Sequence, residues 1–434
     1  MINKLSSLKK NETFMRYLGN SSWMLTEYAL KIASAIFVSI YVARYLGPEK
    51  FGLLSYALAI VSIFMAVSRL GMDSILVRDL SKHPEQTKAY MGTAFGLMFG
   101  TAILAMFVLT VLISLFESDA ENKLYIWIIS IGLIFQTFLA IDYGFQAQVK
   151  AKFSSIAKSM ALGISSIIKI YLVVTKADLQ LFAVAYALDH AIIAIMLVAT
   201  HVIKKQPVFL FAFDRALVKP MLKSAWPMVL SAVCFMLYSR LDQLMIKYYL
   251  GVEQLGLYSA AAKIFEGWSI VPYILMISLF PMIVRIKKTS STGYHRMKVY
   301  IFRVFLMISL GVAGFSTIFS KEIIAITFGQ AFDGASAVFA ILMWASVFTT
   351  MGTITVRLLV VENIEKKILK ITSVGLIVNF ILNFILIPIF GIIGGAFATL
   401  LSLFSAYYLH DYFDKQMEPI LIAKNTAIVF LRKI

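Results

Sequence analysis

The sequence predicts an all-α polytopic membrane protein: twelve transmembrane helices in two parallel six-helix lobes around a central cationic cavity. Three observations predict it. Of 434 residues, 60% are hydrophobic and only 15% charged, with a mean hydropathy of +0.85; a soluble domain lies nearer half apolar and a quarter charged. The apolar residues gather into runs of the roughly 20 residues that cross about 30 Å of hydrocarbon. And one stretch occurs twice: Tyr45-Leu-Gly-Pro-Glu-Lys-Phe-Gly-Leu-Leu-Ser-Tyr-Ala-Leu-Ala59 returns as Tyr249-Leu-Gly-Val-Glu-Gln-Leu-Gly-Leu-Tyr-Ser-Ala-Ala-Ala-Lys263. A repeat this far apart divides the chain almost in half.

The runs fall at 21–44, 51–70, 90–116, 123–147, 155–175, 179–203, 222–248, 256–284, 299–320, 333–361, 367–388 and 391–413. They imply an N-terminal segment 1–20, an N-lobe 21–203, a linker 204–221, a C-lobe 222–413 and a tail 414–434. Gly47-Pro48 and Gly251 stand where helices must stop, and Gly47, Gly52, Gly251 and Gly256 read as matching hinges. Pro272 and Pro281 fall inside the eighth run and are expected to kink it. Orientation follows from Lys and Arg. Of 40 such residues the odd-numbered links carry only Arg44, Lys50, Lys123, Lys176 and Lys321; most of the others lie in the terminal segments and even-numbered links. Both termini are therefore expected in the cytoplasm, and both repeat copies on the outer side. An even number of spans separates the copies, so the halves point the same way, as in transporters built from parallel repeats. The net charge of +17 is then mainly a topology signal with some attraction to anionic membrane lipids, and no nucleic-acid partner is expected. The chain opens with Lys4, Lys9, Lys10 and Arg16 and shows no cleavage site after its first apolar run, so no cleaved leader is expected. The single cysteine, Cys234, allows no internal disulfide.

Several stretches carry a family resemblance. Arg44-Tyr-Leu-Gly-Pro-Glu-Lys-Phe-Gly52, Gly71-Met-Asp-Ser-Ile-Leu-Val-Arg78, Asp242 through Lys263, Ser278-Leu-Phe-Pro281 and Asn379 to Gly395 together resemble the Wzx-type O-antigen and polysaccharide-unit flippases. These belong to the multidrug/oligosaccharidyl-lipid/polysaccharide exporter superfamily. The resemblance implies a bacterial inner-membrane secondary transporter that moves an undecaprenyl-pyrophosphate-linked oligosaccharide, such as an O-antigen unit of lipopolysaccharide, to the outer face. It implies no cofactor, and makes polysaccharide polymerase and chain-length proteins candidate partners.

Ionisable residues at bilayer depth are costly and are functional candidates by default. Cations inside spans are Lys31, Lys169, Arg240, Lys247, Lys263, Arg303 and Arg357; acids are Glu27, Asp142, Asp189, Asp242 and Glu266. Lys31, Arg240, Lys263 and Lys169 are the candidate pyrophosphate-binding residues, because Lys and Arg lining a water-filled path lower the barrier to a crossing anion. Glu27 and Lys31 share a helix face, as do Lys263 and Glu266, so each could be a self-neutralising pair. Lys247, Arg303 and Arg357 are near span ends and can snorkel. Asp242 points away from Arg240 and is expected to pair with a neighbouring helix. Asp142 with Gln146, and Asn379 with Asn383, read as polar glue between helices. Glu27, Asp142 and Glu266 are the candidate proton or ion-coupling groups.

No Gly-x-x-x-x-Gly-Lys-Ser/Thr stretch occurs, which speaks against ATP hydrolysis. An enzyme acting on the same lipid-linked units would need an outer domain, and every outer link is short; no metal-ligand spacing appears. The protein is therefore expected not to be an enzyme. A drug or cation exporter of the same superfamily would favour acids in its cavity. A flippase for teichoic-acid or common-antigen units fits the same residues.

Overall fold

The computed structural model describes residues 12–209 and 212–431. The expected N-terminal cations Lys4, Lys9 and Lys10, and Arg432 and Lys433 of the tail, lie outside them. Helices follow one another as α1 (Glu12–Ser68), α2 (Met72–Lys82), α3 (Thr87–Phe116), α4 (Ala120–Ser130), α5 (Gly132–Phe135), α6 (Leu139–Ala147), α7 (Ala151–Val174) and α8 (Leu179–Ile203). Then come α9 (Arg215–Leu250), α10 (Val252–Thr289), α11 (Ser291–Ile318), α12 (Ser320–Thr327), α13 (Ser336–Glu362), α14 (Lys366–Tyr407) and α15 (Glu418–Leu431). No strand occurs among the described residues. In hydrocarbon this is forced, since only a helix satisfies its own backbone groups within one segment.

Among the described residues, ten helical stretches are long and apolar enough to cross a membrane. Two exceed one crossing: Ser22–Lys82 has 61 residues and Lys366–Phe413 has 48, or roughly 90 and 70 Å at 1.5 Å per residue. Each contains a glycine off the helical backbone, Gly47 (φ 74°, ψ 172°) and Gly391 (φ 62°, ψ −143°). Gly251 repeats the conformation of Gly47, at φ 87°, ψ −179°. Glycine alone reaches this region cheaply, so the duplicated loop keeps its backbone as well as its letters.

The run expected at 123–147 is not one helix. It breaks into α4, α5 and α6 with a 3-10 turn at Gln136–Phe138. Ser130 and Thr137 hydroxyls donate back to the carbonyls of Trp127 and Ile134, at 2.7 and 2.8 Å, which competes with the helical ladder. By contrast α10 stays helical through Pro272 and Pro281.

The chain forms two compact units. One takes in the chain up to Val38 and Ala57–Met236; the other takes in Ser39–Tyr56 and the chain from Leu237. The boundaries therefore fall inside the first, second and seventh expected spans. In the first unit, Met72, Ile75, Leu76 and Leu80 of amphipathic α2 join Met91, Met98, Ile141 and Leu197 in one core. In the second, α10, α11, α13 and α14 pack around Phe302, Leu358 and Ile371.

The second unit also shows why a loop from the first half belongs to it. A Cβ added at Gly52 would meet the carbonyl oxygen of Val252 at 1.8 Å, and one added at Gly256 would meet that of Pro48 at 1.8 Å. Gly52 and Gly256 are equivalent positions of the repeat, as are Pro48 and Val252, so each copy receives the other's backbone in the same way. The missing side chains let the two segments touch backbone to backbone, as small residues do where membrane helices cross.

The segment 414–434, read as a cytoplasmic tail, contains α15, whose Ile420, Ala423 and Ala427 are buried in the core of the second unit. Lys424 is fully buried: its ammonium donates to Asp411 Oδ2 at 2.7 Å and to the Tyr407 carbonyl at 2.5 Å. Lys424, counted toward the inner charge excess, forms an ion pair with Asp411. At 14 residues, α15 is too short for an apolar-length criterion to register.

Candidate functional site

In the first unit one lysine claims two of the acids, Glu27 and Asp142. Lys158 Nζ on α7 lies 2.8 Å from Glu27 Oε2 on α1 and 2.7 Å from Asp142 Oδ2 on α6. Ser155 Oγ adds a bond to Glu27 at 3.4 Å. Three helices are thus tied at one point, and two of the three acids proposed for coupling sit in it. The pairing of Glu27 with Lys31, allowed by their spacing, does not form. Lys31 is exposed and has no ion pair among the described residues, although Arg69, Lys158, Glu27 and Asp142 are close enough to act on its charge. Arg69 is exposed too. With the Gln136 amide assigned from the hydrogen-bond network, the Gln136 oxygen accepts from Arg69 Nη2 at 2.8 Å and Nε at 2.9 Å. That bond orients the guanidinium without neutralising it.

Lys169 differs from Lys31. It is buried, with Nζ 2.5 Å from Asp189 Oδ2 and 4.0 Å from the centre of the Tyr186 ring; Ser165 also donates to Asp189. Freeing Lys169 for a passing anion would break a buried pair, at about 3–5 kcal/mol. Freeing Lys31 breaks none. Of the two candidates, the magnitudes favour Lys31.

In the second unit, Arg240 on α9 donates through Nη1 to Glu266 Oε1 of α10 at 2.6 Å, and Lys263 Nζ lies 3.6 Å from Glu266 Oε2. Two cations share one carboxylate, leaving an excess positive charge. All three side chains keep some exposure, at 22%, 32% and 37% for Arg240, Lys263 and Glu266. Asp242 is buried and turned away: it accepts from the Tyr258 hydroxyl of α10, as its position two residues from Arg240 predicts. Asn383 donates to Asn379 at 2.9 Å and Asn379 to Ser402 at 3.4 Å, which is helix glue. Arg357 lies 5.1 Å from the Tyr273 ring centre and Lys247 4.5 Å from that of Tyr56. Pro272 is buried in α10.

Sequence reasoning missed Arg69 and Lys158, which it counted among inner-loop charges. The signal in the sequence was partial: Glu27 and Asp142 are acids in apolar spans and each demands a cation, but their spans, the first and the fourth, are not adjacent in the chain.

Comparison with known proteins agrees with this architecture. The family model described as polysaccharide biosynthesis protein matches residues 18–287. An uncharacterised membrane protein of Methanocaldococcus jannaschii is 24% identical, over 94% of this chain and 86% of its own. A probable low-salt glycan biosynthesis flippase of Haloferax volcanii is 27% identical over 43% of this chain and 39% of its own length. Among solved structures, the lipid II flippase MurJ in an inward closed conformation superposes with a TM-score of 0.72 at 15% identity, over 94% of this chain and 90% of that one. An inward-facing multidrug transporter of the MATE family gives 0.70 at 14% identity, over 90% and 95%. These two show a shared fold. The family match spans more than half of the sequence, so the chain belongs to the polysaccharide biosynthesis protein family.

Proposed function

We propose that this protein is a flippase that carries an undecaprenyl-pyrophosphate-linked oligosaccharide, such as an O-antigen unit, across the inner membrane by alternating access. The chain crosses twelve times, broken at Gly47 and Gly391, with both termini in the cytoplasm and six crossings in each lobe around a cationic path. The lipid tail stays in the bilayer while the pyrophosphate and sugar pass in water. The carrying observation is the exposed Lys31, without an ion pair among the described residues and within reach of the Arg69 charge, in one unit. The surplus charge of Arg240, Glu266 and Lys263 in the other unit supports it. A multiply charged headgroup needs such partners to leave water, and a moderate grip lets it depart on the far side. Relatives named as glycan biosynthesis and lipid II flippases support the same substrate class.

The substrate leaves chemically unchanged, so the protein is a transporter and not an enzyme. Proton coupling would run through Glu27, Asp142 or Glu266, each of which holds a cation partner that protonation would release.

The test is flipping of a fluorescent undecaprenyl-pyrophosphate disaccharide in proteoliposomes. Alanine at Lys31, Arg240 or Lys263 should each slow flipping, and the triple variant should abolish it. Wild-type rates in all four variants would overturn the cationic path. Flipping that ignores collapse of the ion gradients would remove the coupling role of the acids.

A further inference from the structure

We infer that Lys158 is a positioning residue that keeps Lys31 available to an anion by occupying the carboxylates that would otherwise neutralise it. This rests on the reading of Lys31 as a headgroup ligand. Glu27 and Lys31 are four residues apart on α1, a spacing at which side chains on one helix face meet, with Cβ atoms about 5–6 Å apart. A glutamate there should capture the lysine. It does not, because Glu27 Oε2 is 2.8 Å from Lys158 Nζ, which also holds Asp142 Oδ2 at 2.7 Å.

The exposures fit this division of labour. The bridged side chains are largely withdrawn, at 14% for Glu27, 5% for Asp142 and 17% for Lys158, whereas Lys31 is exposed. Two acids and two lysines are sorted so that one lysine takes both acids and the other takes none. The second acid fixes Lys158 from two helices, α1 and α6, and so holds its ammonium against Glu27.

Removing Lys158 reverses the sorting. Two buried carboxylates lose their cation, an arrangement costly enough to recruit a replacement, and Lys31 is the lysine within reach of Glu27. The anion ligand then becomes half of an internal pair. Net charge near the site falls by one, and the remaining cation is no longer free.

The experiment measures binding of geranylgeranyl pyrophosphate to the purified full chain in detergent. Lys158→Met should weaken binding about tenfold, the order expected for loss of one charge-assisted contact, and as much as Lys31→Ala does. Adding Lys31→Ala to Lys158→Met should cost nothing more, because Lys31 is already occupied. Lys158→Arg should bind like wild type. Lys158→Met with Glu27→Gln and Asp142→Asn, which buries no unpaired charge, should restore binding within about twofold although Lys158 is absent. If Lys158→Met does not yield folded protein, that triple variant and its Lys31→Ala derivative carry the test, and the derivative must lose binding again. Wild-type binding by Lys158→Met, or a monodisperse triple variant that stays weak, overturns the inference. Wild-type binding by Lys31→Ala sinks instead the reading of Lys31 on which it stands.

Discussion

Replacing Gly52 with alanine perturbs one atom at a place where the structure leaves no room for it. The new Cβ would lie 1.8 Å from the carbonyl oxygen of Val252 and 2.8 Å from its carbonyl carbon. A carbon and a carbonyl oxygen come no closer than about 3.3 Å even in favourable contacts, so one segment must retreat by about 1.5 Å. No rotamer can relieve this, since the obstacle is backbone. Overpacking of this kind costs about 1–3 kcal/mol, and a rigid obstacle argues for the upper end. About 3 kcal/mol corresponds to a factor of roughly 150 in an equilibrium. Gly100→Ala and Gly163→Ala are the controls: neither Cβ would meet anything within 4 Å, and alanine in a helix interior stabilises by up to about 1 kcal/mol. Thermal unfolding of the detergent-purified protein, followed by tryptophan fluorescence, should place Gly52→Ala well below both controls. Gly256→Ala should match it, and the double variant should lose less than the sum, because one retreat opens both contacts. Melting of Gly52→Ala alongside Gly100→Ala would refute the reasoning.

Two further outcomes follow from the second unit. Lys424→Ala strands the fully buried Asp411 carboxylate and should destabilise by about 3–5 kcal/mol, whereas Lys424→Met with Asp411→Leu should come close to wild type; both are read by the same melt. Asp414, outside the spans, is held below its usual carboxyl value of 3.8 chiefly by the hydrogen bond from Lys367 at 2.6 Å. Its stabilisation is therefore full above 3.8 and is lost as the pH falls past that value through the lower native one. Asp414→Asn should lower the melting temperature at neutral pH and make no difference in strong acid.

The parts of this fold set by local rules were legible in the sequence. Apolar length placed most of the helices, glycine placed the breaks at 47 and 251, and helical spacing sent Asp242 toward a neighbouring helix and joined Asn379 to Asn383. What the sequence did not disclose depends on partners distant in the chain. Lys158 looked like an inner-loop charge because it stands near a span end; only the positions of Glu27 and Asp142 in three dimensions make it a bridge. The spacing of Glu27 and Lys31 suggested a pair that a third helix outcompetes. Lys169 looked isolated in its own span, and its counter-charge Asp189 sits in the next. The helix α15 was illegible because it is short and carries a lysine that reads as solvent-facing until Asp411 is seen beside it.

The reciprocal contact of Gly52 and Gly256 has an evolutionary consequence. Once a duplicated chain folds so that each copy rests on the other's backbone, neither glycine can acquire a side chain without a compensating shift in its twin. A mutation in either copy is therefore judged against both. Elsewhere the halves are under no such bond: Lys263 closes the second copy where Ala59 closes the first, and a charge has been gained or lost on one side alone. At the two glycines inheritance is joint, while the residues that meet them through their carbonyls alone, Pro48 and Val252, have been free to differ.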